Sequence, residues 1–425
     1  MFVRLSVKLR SSRDCTMMEK ELVERFGSPL FVLDKEALIS KYRMIHNAFD
    51  RRYPTTVAYS VKTNYLPYIC KTLYDAGSDL EIIPGFEFGI VSKLKADSNR
   101  IIVNGPYKSE EFLVEIVKKR YRVNVDNFQE LRLLDKISKR LNKKIKIGIR
   151  VNGKISDLRW NRFGFNLDSG EALKAIDFIK SSKNLSLNGL SIHIGTNITD
   201  ASLYQVALEK VLILYNKIKA DENIDYIDLG GGFVPPGSVP ITENFKTWHI
   251  PQIADYAKPI TKMLNAEFKG NPRPTLIIEP GRFIVDEAMH LLTKVTAIKD
   301  IYNRKAVVVD AGINIVPSSL YRKRLINSLE KRGGKMVSID VYGPLCMQTD
   351  KVASDILLPD PKVGDLLKID TCGAYELSES MQFIQARPAV ISIDKNKVIQ
   401  IRRKEDFMDV TAADDWSLLD KGVIK

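Results

Sequence analysis

The sequence predicts an α/β fold: a (β/α)8 barrel of the TIM type joined to an antiparallel β domain. Three observations carry that reading. Between residues 55 and 285 a short apolar run, a turn and an amphipathic stretch recur eight times. Polar residues and glycines collect at the ends of those runs, which in such a barrel lie on one rim. Beyond residue 285 the rhythm changes to short β-type runs separated by turn residues, with few helices.

Taken in order, the runs are "TTVAYSVK", "SDLEII", "RIIVNG", "YRVNVD", "IKIGIRVN", "NGLSIHIG", "IDYIDLGGG" and "PTLIIEPGR". Eight is the number that closes this barrel. The stretches between them have helical spacing; "EEFLVEIVKKR" places Phe112, Leu113, Ile116 and Val117 on one face. The run ends bring Lys62, Glu81, Asn104, Asp126, Arg150, His193, Gly230 to Gly232, and Glu279 with Arg282 onto the rim. The later runs "AVVVDAG", "MVSIDVYG", "DLLKIDTCGAY" and "AVISIDKNKVIQIRR" form the second domain, completed by "FVRLSV" and "LFVLD" from the start of the chain. The expected division is residues 1–36 joining the β domain, 37–285 as barrel, and 286–425 as a C-terminal β-sandwich or β-barrel.

Composition narrows the class. The 425 residues are 44% hydrophobic and 28% charged, as in ordinary globular proteins. No apolar run approaches the roughly 18 residues of a membrane span. The opening "MFVRLSVKLRSSRDCTMMEKEL" is basic but lacks the apolar stretch of a secretory signal. It reads as an edge strand, or as a start upstream of Met17 or Met18, and a cytoplasmic protein without membrane association is expected. The net charge of +13 sits largely in mixed helices such as "KSEEFLVEIVKKR", so it argues for anionic small molecules rather than nucleic acid. Cysteines 15, 70, 346 and 372 show no close pairing, and histidines 46, 193, 249 and 290 no ligand spacing. Neither a disulfide framework nor a metal site is indicated.

The chemistry is read from the rim. Lys62, ending "VAYSVK", fits a phosphate clamp, a buried ion-pair partner or a nucleophilic amine made available by desolvation. Gly230, Gly231 and Gly232 in "DLGGGF" let backbone N–H groups crowd an anion, and Gly281 and Arg282 in "EPGR" add a turn and a guanidinium. Barrels often hold phosphate at these two loops. Glu279 faces the same cavity and would keep a heterocyclic nitrogen protonated. His193 offers a flat ring for stacking and a proton carrier. Amine, phosphate cradle, carboxylate and ring together describe a site for pyridoxal 5'-phosphate.

These residues sit in the motifs "YSVKTN", "RFGF", "HIGT", "DLGGGF", "EPGR", "YGPLCMQTD" and "CGAY". In that order they resemble the fold type III pyridoxal-phosphate decarboxylases, the diaminopimelate, ornithine and arginine decarboxylase group related to alanine racemase. The resemblance runs from about Gly27 to Arg402. It implies that Lys62 bonds the cofactor aldehyde, His193 stacks on its ring and Glu279 meets its nitrogen. Gly231, Gly232, Gly281 and Arg282 would hold the phosphate. It also implies cofactor contacts from Glu81, where relatives have aspartate, from Arg150 of the "RxN" pattern, and from Thr196, where many relatives have serine. Cys346 matches the proton donor and Tyr375 the tyrosine of "GAY", with Arg282, Cys346, Met347 and Tyr375 nearest the substrate. Because the cysteine of relatives enters the other subunit's site, a homodimer with shared active sites is implied. The implied reaction is loss of an amino acid's α-carboxylate through an external aldimine.

Two departures bear on substrate. Relatives acting on diaminopimelate or ornithine follow the cysteine with an acid that meets the distal amine; here the residue is Met347. Diaminopimelate enzymes place an arginine before a proline after a "DxG" segment; here Val316 precedes Pro317. Losing a charged partner in a buried site costs specificity heavily. The expectation is therefore a decarboxylase of a modified or carrier-bound amino acid, with true diaminopimelate decarboxylation and racemisation as alternatives. A non-catalytic binding relative is disfavoured, since neither Lys62 nor the glycine run is eroded.

Overall fold

The computed structural model describes residues 3–4, 12–155, 160–237, 250–270, 272–330, 332 and 335–417. They form two compact units, one of residues between Ala37 and Glu287, the other of residues up to Glu36 together with those from Ala288 onward.

The first unit is a closed barrel of eight parallel strands. In chain order they are Thr55–Ser60, Asp79–Ile82, Ile101–Val103, Arg122–Val125, Ile145–Asn152, Leu185–Ile192, Tyr226–Asp228 and Thr275–Ile278. Each pairs with the next, and the eighth returns to the first in the register Leu276↔Thr55, Ile277↔Thr56 and Ile278↔Val57. Closure leaves no unpaired edge. The strands read as apolar runs because helices cover them outside and side chains fill them inside. Helix Glu110–Lys119 shows the local logic. The Ser109 hydroxyl accepts from the Phe112 N–H at its start, and Phe112, Leu113, Ile116 and Val117 are its buried face. Among the described residues a ninth, two-residue strand, Phe165–Asn166, extends the sheet beside the fifth.

The barrel interior is packed around Tyr226. In register, Gly148 of strand five, Gly189 of strand six and Tyr226 of strand seven lie side by side. A Cβ on either glycine would strike the tyrosine ring or hydroxyl. The glycines are therefore the space the ring occupies. The Tyr226 hydroxyl donates to Asn124 Oδ1 at 2.7 Å, and burial pushes its ionisation far up.

The second unit is a mixed sheet. Strands Leu30–Asp34, Met289–Ile301, Arg304–Val309, Met336–Tyr342, Lys351–Pro359, Leu366–Ile369, Ala389–Asp394 and Lys397–Arg402 make most of it, with Val3–Arg4 at one edge. The N-terminal segments do complete it: Val3 pairs with Val398, and Leu30–Leu33 lie between two later strands. The expected antiparallel pattern departs at two places, where Leu30–Asp34 runs parallel to Ala389–Asp394 and Arg304–Val309 parallel to Met336–Tyr342. Neither pair is joined by a hairpin, so nothing forces antiparallel pairing there. Helix Ser12–Phe26 packs Leu22 and Val23 on Leu30, Val32, Leu292, Ile391 and Val398. A buried charge cluster ties the loops at one end. Arg324 and Arg322 both donate to Glu376 Oε1, at 2.7 and 3.0 Å. Their attraction outweighs the burial that would raise the Glu376 carboxyl, leaving it below the usual range. No helix among the described residues is long and apolar enough to cross a membrane.

The Gly189→Ala substitution is expected to overpack the barrel against Tyr226 and destabilise it by about 1–3 kcal/mol, read as a lower urea midpoint. Unchanged stability would show that Tyr226 can move aside.

Candidate active site

Strand one ends at Ser60 and runs into a single 3-10 turn, Val61–Thr63, which presents Lys62 at the barrel rim. The Lys62 ammonium donates to Glu81 Oε2 and to Ser60 Oγ, each at 2.6 Å, and Ser60 donates to the same carboxylate oxygen at 2.5 Å. Glu81 is 1% exposed, whereas the lysine side chain keeps 44% of its surface. Lys62 is thus held as an ion-paired cation at the rim. Of the readings open for it, pairing and a reachable amine fit this geometry better than desolvation. Burial raises the Glu81 carboxyl, but Lys62, Ser60 and Asn104 pull it below the usual range.

Beneath Lys62 lies a layer of buried polar side chains. Asn104, just past strand three, donates to Glu279 Oε1 at 2.6 Å and to Glu81 Oε1 at 3.2 Å. Asn124 of strand four donates to Asn104 Oδ1 at 2.9 Å and to Asp228 Oδ2 at 3.0 Å. One amide chain therefore joins three carboxylates from strands two, seven and eight. Burial, then the charges of Asp228 and Glu81, lift the Glu279 carboxyl well above its ordinary value. Glu87, just beyond strand two, is lifted to about 7, mainly by burial.

The far side of the same rim carries Arg150 and His193. Arg150 lies 3.9 Å from Asp126 and its guanidinium covers the Phe163 ring at 4.6 Å. His193 Nδ1 accepts the Gly231 N–H at 3.1 Å, which leaves its proton on Nε2. Burial, then the charges of Arg150 and Lys62, push its pKa down to about 3. A neutral flat ring results, suited to stacking rather than to carrying protons. Trp160 stands edge-on to it at 6.0 Å.

The glycine loops hold a surprise. The Gly230 N–H is taken by Asp228 Oδ1 at 2.9 Å and the Gly231 N–H by His193. Two of the three N–H groups expected around an anion are engaged within the protein. Gly232 and the "EPGR" turn remain for that task. Gly281 belongs there because a Cβ would strike the Thr63 hydroxyl, and this close approach brings the eighth strand's loop onto the Lys62 turn. Arg282 is 8% exposed, with Nη1 3.8 Å from Asp286. Thr196 is exposed.

In the other unit Cys346 is exposed at the tip of a short loop. Asp350 fixes that loop by accepting the Leu345 and Ile313 N–H groups at 2.7 and 2.8 Å. Met347 is 37% exposed, Val316 is fully buried, and Tyr375 sits at φ 72°, half-buried. Cys372 is buried and donates to the Ile369 carbonyl at 3.2 Å. A cavity of about 590 Å³ lined by Arg120, Arg122, Lys144 and Lys146 opens at the other end of the barrel, the end that serves stability rather than chemistry in this architecture.

These residues fit pyridoxal phosphate. A reachable lysine, a buried carboxyl that can meet a ring nitrogen, a flat neutral imidazole and two glycine loops too tight for side chains lie on one rim. Such a barrel defines a pyridoxal-phosphate enzyme. Residues 35–286 match the model of the pyridoxal-dependent decarboxylase pyridoxal-binding domain, and the chain belongs to that family. It is 30% identical to a diaminopimelate decarboxylase of Aquifex aeolicus over 91% of this chain and 92% of that one. It is 31% identical to the diaminopimelate decarboxylase of Methanocaldococcus jannaschii over 93% and 92%. The M. jannaschii enzyme in complex with L-lysine superposes with a TM-score of 0.85 at 29% identity, covering 93% of this chain and 94% of that one. The Helicobacter pylori enzyme with L-lysine gives 0.82 at 26% identity, over 95% and 100%. The protein is a pyridoxal-phosphate-dependent decarboxylase.

Sequence reasoning placed Lys62, Glu81, Arg150, His193 and Glu279 on one rim, and the structure brings them together. It passed over Ser60, Asn124, Ser191 and Asp228. Each lies inside a quoted run, and polar residues at inward-facing positions of an apolar strand were the available signal. Asn104→Ala is expected to destabilise the protein by about 1–3 kcal/mol near neutral pH. The deficit should narrow as falling pH protonates Glu81, whose charge loses its donor in the variant. Urea unfolding across pH measures this; a pH-independent deficit would mean Asn104 only fills space.

Proposed function

We propose that this enzyme decarboxylates diaminopimelate. The observation that carries the reading is likeness along more than nine-tenths of both chains to enzymes named diaminopimelate decarboxylase. Lys62 anchors the cofactor, and Glu279 holds its ring nitrogen. Gly232, Gly281 and Arg282 take the phosphate. His193 covers the ring face and Arg150 closes the rim. The bound cofactor supplies the electron sink that accepts the pair left by the departing carboxylate. Cys346, carried on its pinned surface loop, returns a proton to the substrate carbon from the second subunit of a homodimer.

A second reading is favoured by two residues of the β unit. Met347 offers no charge to a distal ammonium, and Val316 is buried and apolar. Both suit a substrate whose distal end is masked, such as an acylated or carrier-bound amino acid.

The test is carbon dioxide release by the cofactor-loaded enzyme from meso-diaminopimelate, its N-acylated derivatives, lysine, ornithine and arginine. Highest kcat/KM on free diaminopimelate, with lysine as product, supports the main reading. Highest kcat/KM on an acylated derivative moves the second reading to the front.

A further inference from the structure

Asp228 is a carboxylate that none of the assigned roles uses. It is fully buried on strand seven, beside strand eight and Glu279. The two strands are locked in register by Leu229 N–H to the Ile277 carbonyl at 3.0 Å and Glu279 N–H to the Gly230 carbonyl at 2.9 Å. Donors divide unequally between the two side chains. Asp228 receives three: the Gly230 N–H at 2.9 Å, Asn124 at 3.0 Å and Ser191 at 3.0 Å. Glu279 receives Asn104 at 2.6 Å.

The charges facing this pair are already committed. Lys62 is held by Glu81 at 2.6 Å, and Arg150 stands beside Asp126 at 3.9 Å. Glu81 adds a further negative charge, joined to Glu279 through Asn104, and the other groups around the pair, Tyr226, Asn104, Asn124 and Ser191, are neutral. Two full negative charges on Asp228 and Glu279 would repel one another where solvent does not screen them. Three donors place the charge on Asp228, so the proton belongs on Glu279.

We propose that Asp228 is a positioning residue for Glu279: the two carboxylates hold one proton in the cofactor-free enzyme, carried by Glu279 and accepted by Asp228, and Glu279 gives that proton up when the protonated ring nitrogen arrives. The step balances as a Glu279 carboxylic acid becoming carboxylate plus a proton, which leaves to solvent. With that proton Glu279 is the hydrogen-bond donor and Asp228 the acceptor, a contact that lowers the Asp228 carboxyl while burial raises both. The role toward the ring nitrogen rests on the cofactor reading above, but the proton itself is a property of the empty protein.

The sign of the pH dependence follows. With the Glu279 carboxyl raised in the empty protein, loading at low pH must expel its proton. Cofactor affinity therefore gains with rising pH up to that carboxyl's value and gains nothing further from it beyond.

The experiment is isotope-edited infrared spectroscopy of cofactor-free protein across pH, with pyridoxal-phosphate affinity measured over the same range. Wild type is expected to show the carbonyl band of a protonated carboxyl at neutral pH, and Glu279→Gln to lack it. Asp228→Asn keeps an oxygen for the Gly230 N–H but removes the charge; it should lower the band's midpoint by about one pH unit or more. The affinity profile should shift by the same amount, since cofactor and Lys62 titrations are common to all variants. If Asp228→Asn does not fold, Asp228→Ser keeps a hydroxyl acceptor and serves the same comparison. No protonated carboxyl in the wild type, or an unmoved midpoint in the Asp228 variant, overturns the proposal. Failure to bind pyridoxal phosphate with the band behaving as expected would instead strike the cofactor reading alone.

Discussion

A carboxylate inside a barrel must be answered by a cation, a donor or a proton, and the polar layer beneath the rim uses all three. Lys62 answers Glu81, Asn124 and Ser191 answer Asp228, and the proton proposed above answers Glu279, whose carboxyl burial lifts well above its ordinary value. Asn104 joins the first and last of these. Much of the barrel can be read as support for this layer. Tyr226 underlies Asn124, and the glycines of strands five and six make room for Tyr226.

The same layer explains why the chemistry is spread so widely along the chain. Lys62 and Glu279 are far apart in sequence yet meet through a single asparagine and Glu81, because closure sets strand eight beside strand one. The loops above are built for contact rather than for reach. Gly281 lies on the Lys62 turn, and Gly231 hands its N–H to His193. That second contact fixes the imidazole tautomer, while burial and then the charges of Arg150 and Lys62 keep the ring neutral, so the histidine offers a surface and not a charge. Trp160 packs edge-on against it from the loop after strand five.

The barrel was legible in the sequence because eight buried parallel strands leave eight apolar runs, and the rim because polar residues punctuate their ends. The layer inside was not. Asn124, Ser191 and Asp228 each stand two residues before the visible run ends, Asp126, His193 and Gly230, where a single polar residue in an apolar run looks like ordinary variation. Which glycine N–H groups stay available also depends on neighbours distant in sequence, Asp228 for Gly230 and His193 for Gly231. The β unit's parallel pairings were hidden for a related reason, since periodicity marks a strand but not its partner's direction. Met347 and Val316 were legible as residue types, and their places, one half-exposed and one buried, keep the question of the distal group on substrate chemistry.

The account stands on Lys62 being the residue to which the cofactor is bonded, with the Glu81 carboxylate as its resting partner. The most direct test is borohydride reduction of the cofactor-loaded protein followed by peptide mass mapping. One equivalent of reduced cofactor fixed on the peptide containing Lys62, and none in Lys62→Ala, is the predicted result. Fixation on a different lysine in well-folded wild-type protein, or no fixation at all, would contradict it.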